Sequence, residues 1–460
     1  MKHVAIIGGG FSGTMTAVQL IENSQKPIKI TVFSPKEKLN RGIAYSSYSL
    51  NHLLNVVASK MSAFTDKPSH FVEWLLQHPI YSKIDVNIIS TLFIPRTFYG
   101  DYISNIWHNA LSLAEYKGII VDVVESQICD ITLFDDIIQL ITDDMNSFSF
   151  DFCVLATGNH LPRNPSFKDN SFIKHPNYFQ NPWTPLSVSQ TTNEFPILII
   201  GNGLTMTDTA LSLIENGFKG KIYSLSPHGF NLLPNTFYPK VYDGMVKDLY
   251  DNISLFELVK LINFHIKLVK SKGDRVESVI DSLRPYTQKI WNDFSNEDKS
   301  KFFKRLRHLW GVYRHRVPLE SFNVINQNIN EGKLLVIAGK IIQIKSSSNS
   351  FDVEYFNSKT NHYYTSTFSK IINCTGPETD ISKLDSVLNT CFIKGYITQD
   401  NLKLGINTDT NTYQVRQSDG TSYKNLYTLG SNLKGEIWET TAVPEIRKQA
   451  LEVAINILNA

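Results

Sequence analysis

Residues 4–20 read VAIIGGGFSGTMTAVQL, and after a polar loop residues 28–35 read IKITVFSP. Val4–Ile7 is a run of apolar residues of the kind a strand buried on both faces requires. Gly8-Gly9-Gly10-Phe11-Ser12-Gly13 ends that run. From Thr14 to Asn23, Ala17, Val18, Leu20 and Ile21 recur at helical spacing, and KITVF restores strand character. Strand, glycine turn, helix and strand make a βαβ unit. In that setting G-x-G-x-x-G is a dinucleotide fingerprint. Gly8, Gly10 and Gly13 permit the tight turn and close backbone approach. The helix N-terminus around Phe11 and Ser12 offers unpaired N–H groups and partial positive charge to a pyrophosphate. The second strand should end in an acid that holds a ribose, but it ends in Ser34-Pro35.

A second unit follows in FPILIIGNGLTMTDTALSLIENG (195–217) and KIYSLSPHG (221–229). Gly201, Asn202, Gly203, Leu204 and Thr205 repeat the phosphate-binding turn, with Met206 where the third glycine would stand. This strand also lacks a terminal acid and ends in Ser226-Pro227. Without anionic repulsion, a 2′-phosphate is tolerated there, which favours NADPH, with Ser226 and His228 beside it; NADH stays open as the other donor. Two further glycine turns, Leu155-Ala156-Thr157-Gly158 and Cys374-Thr375-Gly376-Pro377, read as supports of the first unit, with Thr157 and Gly158 at its cofactor.

Between the second unit and the next strands, residues from about 245 to 325 carry helical periodicity, few glycines and charged clusters, and read as a helical insertion. The organisation expected is a first unit over 1–190, a second over 191–345 containing that insertion, and a return to the first over 346–460. Pro444 opens a terminal helix with Ile446, Ala450, Val453 and Ile457 on one face.

The 460 residues are 42% hydrophobic and 19% charged with a net charge of +2, which gives no electrostatic case for nucleic acid or an anionic membrane as partner. The four cysteines form no CxxC pair and no metal-ligand spacing, and read as structural thiols. A strand beginning at Val4 leaves no room for a signal peptide, and no apolar run approaches the roughly 20 residues of a membrane span, so a cytoplasmic protein is expected.

With these pieces together, the sequence resembles the two-dinucleotide-domain flavoproteins. More narrowly, it resembles the FAD/NAD(P)-binding family that includes FAD-dependent urate hydroxylase and flavin-dependent aspartate N-monooxygenase. The resemblance is carried by RGIAY (41–45), HLLNV (52–56), IPRTFYGDY (94–102), ATG (156–158), GNGLTMTD (201–208), YRHR (313–316), NCTGP (373–377) and WETTAVPEIRKQA (438–450). It implies an α/β fold: a Rossmann-like FAD domain with an inserted NAD(P) domain and a helical insertion. It also implies a monooxygenase that is reduced by NAD(P)H and uses molecular oxygen. Such an enzyme hydroxylates a small polar metabolite, an amine nitrogen or a purine-like ring, through a C4a-hydroperoxyflavin. The competing reading is a flavin-dependent oxidoreductase that passes electrons to a non-oxygen acceptor.

Carried over by position, the resemblance puts Gly8, Gly10 and Gly13 at the FAD pyrophosphate. Arg41, Tyr45, Met61 and Ser62 line the flavin, and Gly430 with the start of the Pro444 helix meets its pyrimidine edge. Ser34 faces a ribose. Asn55, Arg96, Arg284 and His315 are the candidates for catalysis or substrate binding, each with a structural alternative (a turn, or an ion-paired surface). Three departures stand out: related sequences carry an acid at Ser34, a glycine at Asn40 and an arginine at Pro227.

Overall fold

The computed structural model describes residues 1–189, 195–235 and 242–460. The first fingerprint is strand β1 (His3–Ile7), a helix over Phe11–Asn23 and strand β2 (Lys29–Phe33). β1 is central because Val4, Ala5, Ile6 and Ile7 are buried on both faces. On one side it pairs in parallel with β2, which pairs with β3 (Ile120–Val124). On the other it pairs in parallel with β7 (Phe152–Leu155), followed by β18 (Ser422–Thr428) and antiparallel β17 (Gln414–Arg416). The chain thus leaves β1 in one direction and comes back beside it from the other. That reversal opens a crevice at the strand ends, where ligands of such sheets bind. An antiparallel sheet of β4 (Ile128–Leu133), β5 (Ile138–Thr142) and β6 (Ser147–Phe150) precedes β7.

The second unit repeats the plan. β9 (Ile197–Ile200) lies between β10 (Ile222–Ser226) and β16 (Lys370–Asn373), both parallel to it. β8 (Tyr178–Phe179) extends the sheet beyond β16, and β13 (Leu334–Ser346), β14 (Phe351–Asn357) and β15 (His362–Phe368) extend it beyond β10. The expected return to the first unit at 346 is therefore too early: β14, β15 and β16 hydrogen-bond within the second sheet. Alternating apolar residues in FDVEYF signal a strand but not the sheet it joins. The other expected boundary, at 190–191, lies outside the described residues.

The region between β10 and β13 is largely helical, including Leu255–Ser271 under a Ser254/Glu257 capping box and Arg307–Arg314. Its two-residue strand β12 (Val317–Pro318) pairs with β11 (Pro234–Asn235). Its core surrounds buried Trp291, which stacks 5.0 Å from Trp438 of the C-terminal segment. The terminal helix Val443–Asn459 has its proline in the first turn and packs Ala450, Val453 and Ile457 into the core that holds Met15, Val18 and Leu20.

The same close contact recurs within each unit. A Cβ on Gly8, at φ +110°, would lie 2.2 Å from the carbonyl oxygen of Ala156; one on Gly201, at φ +111°, would lie 2.4 Å from that of Cys374. Each TG turn therefore buttresses the glycine turn of its own unit. The Cys374-Thr375-Gly376 turn serves the second unit, correcting the expectation that it supports the first; order along the chain does not reveal which strand β16 will pair with. Gly8→Ala is expected to cost about 3 kcal/mol or more in urea unfolding, from overlap and positive φ together. Gly203→Ala, whose new methyl has no atom within 4 Å, is expected to stay near wild type. Equal losses in the two variants would refute this account.

Candidate functional site

The first turn presents a helix start with no acidic residue in its opening turn and Gly10 as an extended N-cap. Thr14 Oγ1 donates to Gly9 O (3.2 Å), and Asn40 N donates to the same carbonyl (2.7 Å), so the turn is held from behind. Asn40 has φ +67° and is buried. A glycine suits that left-handed conformation, and asparagine is among the few residues that tolerate it, so this departure keeps the local geometry. Ser34 is also buried, its Cβ and Oγ both 2.6 Å from where a Cβ on Gly9 would be. Its hydroxyl donates to Pro35 O (3.2 Å), so it packs beneath the turn as a small residue.

Other candidates converge on this turn. A Cβ on Gly430 (φ +71°) would lie 3.0 Å from Ser12 Oγ, which places the C-terminal segment against the helix start. Gly430 N donates to Gln449 Oε1 (2.9 Å), whose amide donates to Thr440 Oγ1 (2.6 Å). Asn432 Nδ2 donates to Thr157 Oγ1 (3.1 Å), Leu155 O (3.3 Å) and Thr428 Oγ1 (3.1 Å), locking the ATG turn to that segment. A Cβ on Gly158 would meet open space, and Ser431 Oγ is buried with no hydrogen-bond partner among the described residues. Open backbone and an orphan hydroxyl at two glycine turns fit a phosphate-bearing dinucleotide.

Around the crevice, Arg41 forms an ion pair with Asp101. Tyr45 packs 4.6 Å from Tyr99, and burial pushes its phenol up to about 12, so it stays a neutral donor. Met61 and Ser62 are buried, and Arg447 of the terminal helix donates to Ser62 O (2.7 Å).

The second turn opens onto a cleft of about 920 Å³. Gly201, Asn202, Gly203, Leu204, Thr205, Ser226 and His228 line it together with Lys434 and Trp438–Thr441, which lie just before the terminal helix. Met206 points away into the core and is buried, so the missing third glycine is accommodated by packing. Asn202 donates its amide to Phe230 O, which shapes the rim. The cleft thus joins the second turn to the segment that abuts the first.

The four catalytic candidates separate into two places. Arg96 lies in a seam between the units. It pairs with Asp208 of helix Leu204–Glu215 (3.1 Å), donates to Leu53 O (3.2 Å), and its guanidinium sits 5.8 Å from the Trp183 ring. Asn55 is beside it, its carbonyl accepting from Asn235 Nδ2 (3.0 Å). His52, with Nε2 2.7 Å from Ser212 Oγ, and Ser49, donating to Glu215 Oε2 (2.6 Å), complete the seam. These contacts join the units rather than facing the cleft.

Arg284 and His315 gather at the start of the terminal helix. Arg284 lies 3.7 Å from Glu445 Oε1, and burial raises the Glu445 carboxyl. His315 lines the cleft and lies 3.6 Å from Glu439 Oε2, which Arg314 Nε also approaches (3.2 Å); Trp310 Nε1 donates to Oε1 (2.9 Å). Burial alone would raise the Glu439 carboxyl. The hydrogen bond and charge from His315, with Arg314 and the Trp310 indole, overcome that and hold it at about 2. Glu439 also has φ +62°, a strained conformation for glutamate, and it fastens the helical layer to the cofactor-side loop. The sequence reading missed Asp208 and Asn432 because each acts through partners far along the chain, and it left Glu439, with Trp438, between the flavin and the packing of the last helix. The WETTAVPE stretch was the one signal for Glu439.

Residues 5–160 match a family model described as FAD-NAD(P)-binding. No curated protein matches the chain by sequence. In fold, the chain is similar to ornithine N-hydroxylase of Kutzneria sp. 744 (12% identity, 100% of this chain and 99% of that chain, TM-score 0.65), solved with reduced FAD, NADP+ and L-ornithine. It is also similar to ornithine hydroxylase of Pseudomonas aeruginosa (13%, 100% and 98%, TM-score 0.66) and to L-lysine 6-monooxygenase of Pseudomonas syringae (13%, 100% and 99%, TM-score 0.65). The chain shares the two-unit α/β fold of these structures. Among the described residues, no helix is long and apolar enough to cross a membrane.

Two outcomes follow from the ion pairs. Removing the Glu439 charge with Glu439→Gln is expected to cost about 3 kcal/mol at neutral pH, the equivalent of its depressed titration. Because the folded carboxyl titrates below its ordinary range, that difference should be full above about pH 4.5 and shrink as pH falls towards 2; urea unfolding of both proteins across pH checks it. Arg96→Ala leaves Asp208 buried and unpaired and is expected to destabilise by about 3 kcal/mol. Arg96→Ala stability close to wild type, accompanied by lost turnover, would return Arg96 to a catalytic role.

Proposed function

We propose that this protein is an FAD-dependent monooxygenase that takes electrons from NADPH, with NADH as the lesser donor, and inserts one oxygen atom from O2 into a small polar metabolite. The substrate class is an amino-acid amine nitrogen or a purine-like ring. The observation that carries this reading is the cleft joining the second glycine turn to Trp438–Thr441, beside the segment that closes over the first turn. The full-length likeness to N-hydroxylating monooxygenases supports it.

On this reading the first turn holds FAD, with Gly8, Gly10, Phe11, Ser12 and Gly13 at its pyrophosphate, Thr157 and Gly158 beneath it, and Gly430 beside it. Bound FAD supplies the redox and oxygen chemistry. The protein's part is to bind, orient and exclude water. Arg41, Tyr45, Met61 and Ser62 form one wall of the flavin pocket. The N-terminus of helix Val443–Asn459 offers partial positive charge where negative charge develops on reduction. Gly201–Thr205 seat the donor's phosphates. His315 and Arg284 stand where the helical layer meets the cleft, held by Glu439 and Glu445 in positions to bind a polar substrate. The buried thiols Cys153, Cys374 and Cys391 are structural. A cytoplasmic setting, which keeps thiols reduced and supplies NADPH, suits the assignment.

The test is a metabolite screen with the FAD-loaded protein. It should find a compound that stimulates NADPH oxidation above background, consumes O2 in proportion and yields a product one oxygen heavier by mass spectrometry. NADPH oxidation that needs the metabolite but no oxygen would instead establish transfer to a non-oxygen acceptor.

A further inference from the structure

We propose that Arg307, from the helical segment inserted in the second unit, supplies to the 2′-phosphate of NADPH the guanidinium that the strand end at Ser226-Pro227 lacks. This deepens the assignment of the second cleft and rests on it.

The strand end itself offers little to a phosphate. Ser226 Oγ accepts from Gly229 N (3.1 Å), and Pro227 has neither charge nor N–H. His228, two residues on, stacks on Phe230 with ring centroids 5.0 Å apart and planes at 13°. From the helical segment, the His308 ring approaches the His228 ring, with centroids 5.0 Å apart. Arg307 Nη2 lies 3.1 Å from His308 Nε2, and its guanidinium sits 4.2 Å from the Phe303 ring centroid. Strand end, His228, His308 and Arg307 therefore form one continuous wall of the cleft. The helical layer brings to this wall what the strand omits.

Charge identifies the ligand. Arg41, Arg96, Arg284, Arg314 and Arg316 each face a carboxylate. Arg307 faces none among the described residues, and its Nε is buried without a hydrogen-bond partner. Burial also lowers its proton affinity, and it helps hold His308 neutral, burial being the larger cause. Neutral His308 then accepts from the guanidinium and fixes its plane. A half-buried, oriented guanidinium with no carboxylate partner among the described residues is suited to an oxyanion with several acceptor oxygens. The cleft is also lined by the cations Arg163, Lys434 and Lys340. Lys434, on the terminal segment, is close enough to Arg307 to feel its charge, and Glu439 offsets that charge. Lys340 is exposed on β13, whose Ala338 is in register with Ser226.

Binding of two probes, 2′,5′-ADP and 5′-AMP, separates the phosphate from the rest of the nucleotide and needs no turnover. Calorimetry on the FAD-loaded protein should show wild type preferring 2′,5′-ADP. Arg307→Ala should weaken that probe about tenfold or more, the loss of one charge-assisted contact, and leave 5′-AMP within about twofold. Arg307→Lys should restore part of the difference, because it keeps the charge and loses the planar fork. In steady state, the ratio of kcat/KM for NADPH over NADH should fall by a similar factor in Arg307→Ala. The proposal is overturned if Arg307→Ala weakens both probes equally, if it changes neither, or if Arg163→Ala, Lys340→Ala or Lys434→Ala rather than Arg307→Ala removes the preference. A failed metabolite screen with intact probe discrimination would count against the monooxygenase assignment alone. Turnover without probe discrimination would count against Arg307 alone.

Discussion

The close approach of a glycine Cα to a neighbouring carbonyl is the contact on which both halves of this protein depend. At Gly8 the carbonyl belongs to Ala156, and at Gly201 to Cys374, with nearly the same φ and nearly the same clearance. No side chain fits between, so each first strand can run beside its returning strand and still turn sharply into a helix. The same turn leaves N–H groups of the helix start without intrahelical partners and without a neighbouring acid, which makes it an anion site. Packing and phosphate binding are thus consequences of one steric fact. Gly203 shows the division of labour: a Cβ there would meet no atom within 4 Å and the residue lines the cleft, so its small size serves a ligand rather than the fold.

Around these turns, long-range polar contacts set the relation of one unit to the other. The seam of Arg96–Asp208, His52–Ser212 and Ser49–Glu215 clamps the helix of the second turn to the loops of the first unit. On the other side, Glu439 gathers Trp310, Arg314 and His315 and fixes the helical layer at the mouth of the cleft. A carboxylate held at about 2 in a buried setting shows how far its partners outweigh desolvation. The two clamps leave the cleft between fixed walls, the arrangement a reaction needs when a donor must meet a second cofactor in a set orientation.

Much of the architecture was legible because its determinants are local. Both glycine turns, their helices, the helical insertion and the proline-started terminal helix follow from spacing within short windows. Asn40 shows how a departure can be read physically once its φ is known, since it occupies a left-handed position that glycine or asparagine can fill. Sheet membership was less legible: β14, β15 and β16 have ordinary strand patterns, and pairing is decided by neighbours far along the chain. Arg96 and Asn55 looked like site residues because they lie in motif-like stretches. Their partners, Asp208 and Asn235, belong to the other unit.

The sequence by itself determined that there are two dinucleotide-type turns, because glycine's missing Cβ and the helix N-terminus are properties of adjacent residues. It also determined that neither strand end carries an acid. Only the tertiary structure decided which TG turn supports which unit, and which arginines face a carboxylate. Those outcomes depend on distances between residues remote in the chain, and on burial, which makes an unmatched charge costly enough to matter. Ser226-Pro227 looks deficient when read alone; in the folded protein the contact of His228 with His308 brings Arg307 to the same cleft.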